Sequence, residues 1–505
     1  MTNTAIPAQR SALAFFALWL FTSLFIALVP TRHLTPDAAN NLMYVANHDR
    51  YELWHGQHLL ALWPGYLTAQ ITGNAYSGMR LAHAILAGAT VVLLFLTLLR
   101  LVRSWRIAVP VALALVCSYG FWHFASDPDI YMAGYASVAL LLLAFVHALQ
   151  YPGTRSIVWL GLAAALAILC HQMNIELAGL IGLVLVGLAL RPTRIPVRWS
   201  HVVLYGVLSL GPTLLLYFVG WLDVSAWLTS KGELSPGFAD WALRYFGTAS
   251  SGEATWGVTL SPTTLPIAAY AFIQSWILPP QPRDALALVV IALLGVGAVI
   301  VALRGLLLVR IFSTVERIVA LVCVLSLLAN AISAWWWQAG NIKFYLFMQL
   351  YVLLLVAIIA RAGLASKART LIAAGLGALG SGLLLAMLLF TLPYETQGGV
   401  FRLVDLYGDK PMTNLYVQDN TQEAVIDYIS KRTARLLTAD WCIELPSFQQ
   451  QHPDETRIWV LSEAWATDCH LDGATLVDRY TADRTRTVWQ VWDVTAITTN
   501  SLNGN

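Results

Sequence analysis

Only 11% of the 505 residues are charged and 58% are hydrophobic, with a mean hydropathy of +0.64. A soluble domain carries about 25% charged residues, so the composition excludes a soluble enzyme and implies an integral membrane protein. A net charge of +2 without a basic tract argues against a nucleic-acid partner, and five cysteines are too few for a disulfide framework.

Eleven apolar runs of spanning or near-spanning length follow one another at 11–30, 79–99, 107–125, 130–149, 157–171, 174–190, 201–221, 285–303, 318–335, 344–360 and 371–391. No small-residue cleavage motif follows the first, which is read as a transmembrane helix that stays in place. Runs 157–171 and 174–190 are short and meet at "HQM", as half-spans or a tight hairpin would.

Lys and Arg set the expected orientation. One set of connections holds Arg10, Arg100, Arg103, Arg106, Arg155, Arg191, Arg194, Arg198, Arg304, Arg310, Arg317, Arg361, Lys367 and Arg369. The short connections on the other side hold Arg32, Arg50, Arg80 and Lys343. The first set is therefore expected in the cytoplasm, with the N-terminus inside and the C-terminus outside. The larger polar pieces then share the outer face: 31–78, the "SDPD" turn (126–129), 222–284, the "WWWQAGNIK" turn (335–343) and the tail from about 393.

Within 31–78, Thr35-Pro36-Asp37 has the grammar of a helix start, with Thr as N-cap, Pro first and an acid in the first turn. Continued as a helix, it sets Asp37, Asn40, Asn41, Tyr44, Asn47 and His48 on one side. Ala38, Ala39, Leu42, Met43, Val45 and Ala46 take the other. Capping explains an acid at a helix start but does not require that polar stripe. Asp49 and Glu52 read as solvated loop charges, and "WPGY" (63–66) as a turn. The same grammar returns at Asp127-Pro128-Asp129, where Asp127 is expected to cap the fourth span and Asp129 to sit in its first turn. Trp335, Trp336 and Trp337 mark the interface, as a belt or a sugar-stacking surface. In the long loop, "FADWALRYFGTASSGEATWG" (238–257) reads as a lid or an acceptor-binding surface.

The tail changes character. Gln418 to Arg435 reads as an amphipathic helix, whereas "RIWVLSE" (457–463) and "RTVWQVWDV" (486–494) alternate as strands do. The fold expected is an all-α polytopic membrane protein of about eleven spans (1–392, with outward loops 31–78 and 222–284), followed by a small extracytoplasmic α/β domain (393–505). Cys442 and Cys469 lie in that domain, paired in an oxidising compartment or as free thiols.

Asp37, the stripe "AANNLMYVANHD", the segment "HLLALWPGYL" (58–67) and the acids of Asp127-Pro128-Asp129 together resemble the GT-C fold polyprenyl-phosphate-sugar-dependent glycosyltransferases, including the protein mannosyltransferase and lipid A aminoarabinose transferase branches. The pattern covers roughly 11–220, and the remainder agrees in architecture only. Two positions depart from it: Ala38 follows Asp37 where many relatives have Asp-Glu, and Trp63-Pro64 stands for His-Pro; "CHQMN" (170–174) has His171 near where many relatives have Lys or His.

The resemblance implies inverting transfer of a sugar from a polyprenyl phosphate to a lipid, glycan or protein acceptor at the non-cytoplasmic face of a bacterial inner membrane. Asp37 is the expected base. Asp129 or Asp127 would orient the acceptor or, with Asp37, hold a divalent cation such as Mg²⁺ or Mn²⁺. Arg80, Lys343, Arg244, His58 and His171 are the candidates to neutralise the phosphate leaving group, with Asn41, Tyr44 and Tyr66 as further substrate-binding residues. The rival is a transporter or lipid flippase, although no inverted repeat is evident. A glycosyltransferase should bring the Asp37 and Asp129 carboxylates together in one outward cavity, whereas a transporter should line a path near the midplane.

Overall fold

The computed structural model describes residues 8–32, 34–56, 58–191, 195–242, 262–278, 285–364, 366, 369–392, 413–417, 434–436, 456–462, 466, 474–482 and 487–494. Every one of the eleven apolar runs is helical. The helices are α1 (Ala8–Leu28), α2 (Pro36–Ala46), α3 (Arg50–Leu53), α4 (Trp63–Thr72), α5 (Ala75–Val102), α6 (Trp105–Val116), α7 (Tyr119–Ser126), α8 (Tyr131–Gln150), α9 (Thr154–Cys170), α10 (Ile175–Leu190) and α11 (Trp199–Ser230). They continue as α12 (Phe238–Ala242), α13 (Leu265–Trp276), α14 (Ala285–Leu308), α15 (Thr314–Gln338), α16 (Met348–Leu364) and α17 (Arg369–Ala386). Among the described residues seven helices are long and apolar enough to cross a membrane, or eight with a bent pair taken as one span.

That bent pair corrects one expectation. Run 107–125 is not one rod: α6 and α7 meet at 58°. Ser118 adopts extended backbone at the break, and its hydroxyl turns back onto the Leu115 carbonyl at 2.7 Å. Gly120 then lets other elements close in, since a Cβ there would sit 2.6 Å from Leu346 and 2.8 Å from the Ser275 carbonyl. The bend lays α7 against α13 and against Leu346, the residue that follows the 3₁₀ turn Ile342–Tyr345. The core is built around this junction, with Phe121, Trp122, Phe124, Tyr135, Phe145 and Phe347 all fully buried.

Several local expectations change with the geometry. "WPGY" is not a turn but the first turn of α4, with Pro64 where its missing N–H leaves no bond unmade. Asp49 is not merely solvated: it caps α3, accepting from Tyr51 N at 3.0 Å. The tryptophans precede the turn, because α15 runs through Gln338. Trp335 bonds the Thr264 hydroxyl at 2.8 Å. The 222–284 loop contributes α12 and α13. α8 begins at Tyr131, so Asp127 and Asp129 both precede it and neither caps it.

In the tail, β1 (Thr413–Val417), β2 (Ala434–Leu436), β3 (Thr456–Ser462), β4 (Thr475–Ala482) and β5 (Thr487–Asp493) form a mixed sheet in the order β2-β1-β3-β5-β4. β1 pairs in parallel with β2 and β3, and β5 runs antiparallel to β3 and β4. Val417, Val460 and Val491 fall in one cross-strand row and are fully buried, which is why period-2 alternation announced β3 and β5. The expected helix at 418–435 lies outside the described residues except at its end, where Ala434 and Arg435 belong to β2. Cys442 and Cys469 also lie outside them.

Candidate active site

The start of α2 follows the sequence grammar. Thr35 is the N-cap, accepting from Ala38 N at 3.2 Å. The apolar side of the helix packs inward, with Ala38, Ala39, Leu42 and Val45 at most 2% exposed. Leu42 and Val45 meet Leu53, Leu62, Ala69 and Met79. Burial of that side fixes the roll of the helix and so the direction of Asp37, whose side chain is 61% exposed.

Lys343 approaches from the far end of the sequence. Asn341 caps the 3₁₀ turn by accepting from Lys343 N at 3.1 Å. The ammonium of Lys343 bonds the Asp37 carboxylate and lies 2.8 Å from Asp129 Oδ2. The two carboxylates therefore stand within two hydrogen-bond lengths of each other, around one cation. The Phe124 and Tyr131 ring centres are each 5.8 Å from Nζ, within the range of a cation–π contact.

The two acids sit in opposite surroundings. Asp129 is fully buried and well satisfied: Oδ1 accepts from Ile130 N at 2.7 Å and Asn41 Nδ2 at 3.4 Å, while Oδ2 accepts from the Thr35 hydroxyl at 3.3 Å. Burial pushes its pKa up, but Lys343 and the amide of Ile130 outweigh it and hold the carboxyl below its usual range. Asp127 is equally buried, and its Oδ2 accepts from Thr35 N at 3.3 Å. His123 Nε2 stands 3.8 Å from that oxygen, and Oδ1 has no partner among the described residues. Here burial prevails over His123, and the pKa rises to about 7. Lys343 thus holds Asp129 toward its charged form, whereas burial favours the protonated form of Asp127.

Tyr131 carries the site onward to two histidines. Its ring centre lies 5.4 Å from that of His171 and 6.3 Å from that of His58, and the two imidazoles are 4.3 Å apart. Burial holds the His58 imidazole well below its ordinary value, and the neighbouring His171, His55 and Lys343 add to the shift.

The remaining candidates lie elsewhere. Tyr66 bonds His48 Nδ1 at 3.2 Å. Arg80 donates to the Ala27 carbonyl at 2.8 Å, at the end of α1. Tyr44 is half-buried one turn beyond Asn41, and Arg244 lies outside the described residues. Sequence reading missed Tyr131, His83, which bonds the Asp127 carbonyl at 2.8 Å, and His123. Two ionisable rings in apolar helices were the available signal. Among the described residues no three or more His, Cys, Asp or Glu are grouped to hold a metal ion. Between Asp37 and Asp129 the cation position is filled by the Lys343 ammonium, so a divalent ion there would have to displace it.

This is a GT-C fold: an apolar helical bundle with a juxtamembrane helix after its first long helix, followed by a small mixed domain. The sequence matches no protein-family model and no curated protein. The structure is similar to ArnT from Cupriavidus metallidurans in the apo state, with TM-score 0.56, 15% identity, and 96% of this chain and 98% of that chain covered. It is similar to the same protein bound to undecaprenyl phosphate with TM-score 0.51, at the same identity and coverage. The Archaeoglobus fulgidus oligosaccharyltransferase in its apo form aligns with TM-score 0.49 and 12% identity, over 89% of this chain and 69% of that one.

Proposed function

We propose that the protein is an inverting glycosyltransferase that moves a hexose or pentose from a polyprenyl-phosphate carrier to a hydroxyl of a lipid, glycan or protein acceptor. The observation that carries this reading is the meeting of Asp37 and Asp129 around one ammonium, on a fold similar to that of a protein bound to undecaprenyl phosphate. A transporter would instead be expected to spread its polar groups along a path.

Asp37 is the base. It is the exposed member of the pair, within reach of an acceptor on its solvent side, and its backbone is held by the Thr35 cap. It takes the acceptor proton as the acceptor oxygen bonds to the anomeric carbon. The bond from that carbon to the phosphate oxygen breaks, and its electron pair leaves on the polyprenyl phosphate. Lys343 supplies the positive charge for that oxygen, and Asp129 holds Lys343 in place from its buried position. The bundle, residues 1–392, performs the chemistry, and 393–505 lies on the same, periplasmic side. The N-terminus is in the cytoplasm of a bacterial cell with the chain in the inner membrane.

The test is transfer in membranes supplied with defined undecaprenyl-phosphate sugars. The parent should transfer, and an equally expressed Asp37→Asn variant should not. Equal rates in the two would remove Asp37 from the role of base.

A further inference from the structure

The mechanism above leaves two buried nitrogens unused. His58 and His171 are 7% and 3% exposed. His58 Nδ1 and His171 Nε2 have no hydrogen-bond partner among the described residues. Polar atoms this deeply buried are almost always paired, and each orphan disfavours the fold.

Their surroundings fix what each nitrogen can do. His171 Nδ1 accepts from Met173 N at 3.3 Å. A neutral imidazole accepting there carries its hydrogen on Nε2, so the orphan is a donor. An orphan donor at His171 and an unpartnered ring nitrogen at His58, on rings 4.3 Å apart, are complementary to a hydroxyl, which both donates and accepts.

The pair is held firmly. Leu60 N bonds the Leu169 carbonyl at 3.0 Å. Gln172 and Tyr217 both donate to the Gly56 carbonyl at 2.6 Å. The segment bearing His58 is thus tied to the α9–α10 junction bearing His171. Tyr131, which touches both rings, also lies 5.8 Å from Lys343 Nζ. Tyr131 thus stands between the two histidines and the ammonium that would hold the donor phosphate.

We propose that His58 and His171 form a subsite that binds a hydroxyl of the carrier-borne sugar and selects the donor by it. This rests on the glycosyl-transfer reading.

The test measures binding of undecaprenyl phosphate and of undecaprenyl-phosphate glucose, mannose, galactose and arabinose to the detergent-solubilised full chain, for the parent, His58→Phe and His171→Asn. Phe keeps the ring, and Asn keeps an acceptor for Met173 N. The sugar that binds the parent best should bind each variant about 3- to 10-fold more weakly, as for one neutral hydrogen bond. Bare undecaprenyl phosphate should bind all three proteins equally, which also reports that the variants are folded. Equal weakening of bare and sugar-bearing carriers would make the histidines phosphate contacts and overturn the inference. No weakening of either would leave them structural and overturn it too. Failure of the parent to bind undecaprenyl phosphate at all would sink the glycosyl-transfer reading itself.

Discussion

Replacing Lys343 with Met tests the centre of the site. Met keeps the length of the stem and removes the charge, leaving Asp129 fully buried without its cation. Stripping one partner from a buried ion pair destabilises by about 3–5 kcal/mol. The low end applies here, since Thr35, Asn41 and Ile130 still donate to Asp129. Asp37 adds little, because its exposed carboxylate is screened by solvent. The sign with pH is distinctive. In the parent, Asp129 is depressed, so the stability it gives is present above the unfolded value of about 3.9 and is lost only as pH falls below it. In the variant, burial acts unopposed by Lys343 and the folded pKa rises. Stability is then greatest in acid and falls with pH at up to about 1.4 kcal/mol per unit, until Asp129 ionises. Asp127 shifts the same way, since Lys343 lowers it too. Melting of the purified protein, followed by tryptophan fluorescence from pH 5 to pH 8, should show the gap between variant and parent widening with pH. A gap that stays constant would mean that Lys343 is not what keeps Asp129 charged.

Asp37→Asn should lower transfer by about 10²- to 10⁴-fold, as for loss of a general base, while melting changes little because the side chain is exposed. Asp127 has its pKa raised to about 7, so the stability it gives is complete below about 4 and is lost as pH rises through 7. Asp127→Asn should therefore melt with the parent near pH 4 and increasingly above it as the pH rises to 8. Gly78→Ala should destabilise by about 1–3 kcal/mol, seen as a lower melting temperature, because a Cβ there would lie 2.3 Å from Ala69 N on α4. Transfer should persist in excess chelator, since Lys343 stands where a divalent cation would bridge the carboxylates. Loss of activity restored by Mg²⁺ or Mn²⁺ would reverse that reading.

How much of this was legible in the sequence depended on the range of the interaction involved. Hydropathy located every long helix because each buries or presents its apolar surface on its own account. The start of α2 was legible because Thr35, Pro36 and Asp37 act within one turn. The break between α6 and α7 was not, because the elements packed at Gly120 beside it, Ser275 and Leu346, come from more than 150 residues away. The same holds for Asp127 and Asp129. Their spacing resembles a cap, yet the donors that claim them come from Thr35, Asn41 and Lys343. Lys343 was identifiable as a basic residue near the interface, but the roles of snorkelling and pairing differ only in where Asp129 lies.

Those long-range partners also explain why two acids of similar appearance take different parts. Thr35 serves both of them: its hydroxyl accepts from Ala38 N and donates to Asp129, and its backbone N–H donates to Asp127. The cap that starts α2 is therefore also the brace that joins the two loops. Any movement of α2 that changes the reach of Asp37 must shift Asp129, and with it Lys343. We expect Thr35→Val to keep the backbone bond to Asp127 while removing both hydroxyl bonds, and so to loosen the start of α2, and Asp37 with it, without removing any charge. The consequence should be a lower kcat with little change in the binding of bare undecaprenyl phosphate. A variant that instead lost carrier binding in proportion to kcat would show that Thr35 serves the bound phosphate and not the geometry of the base.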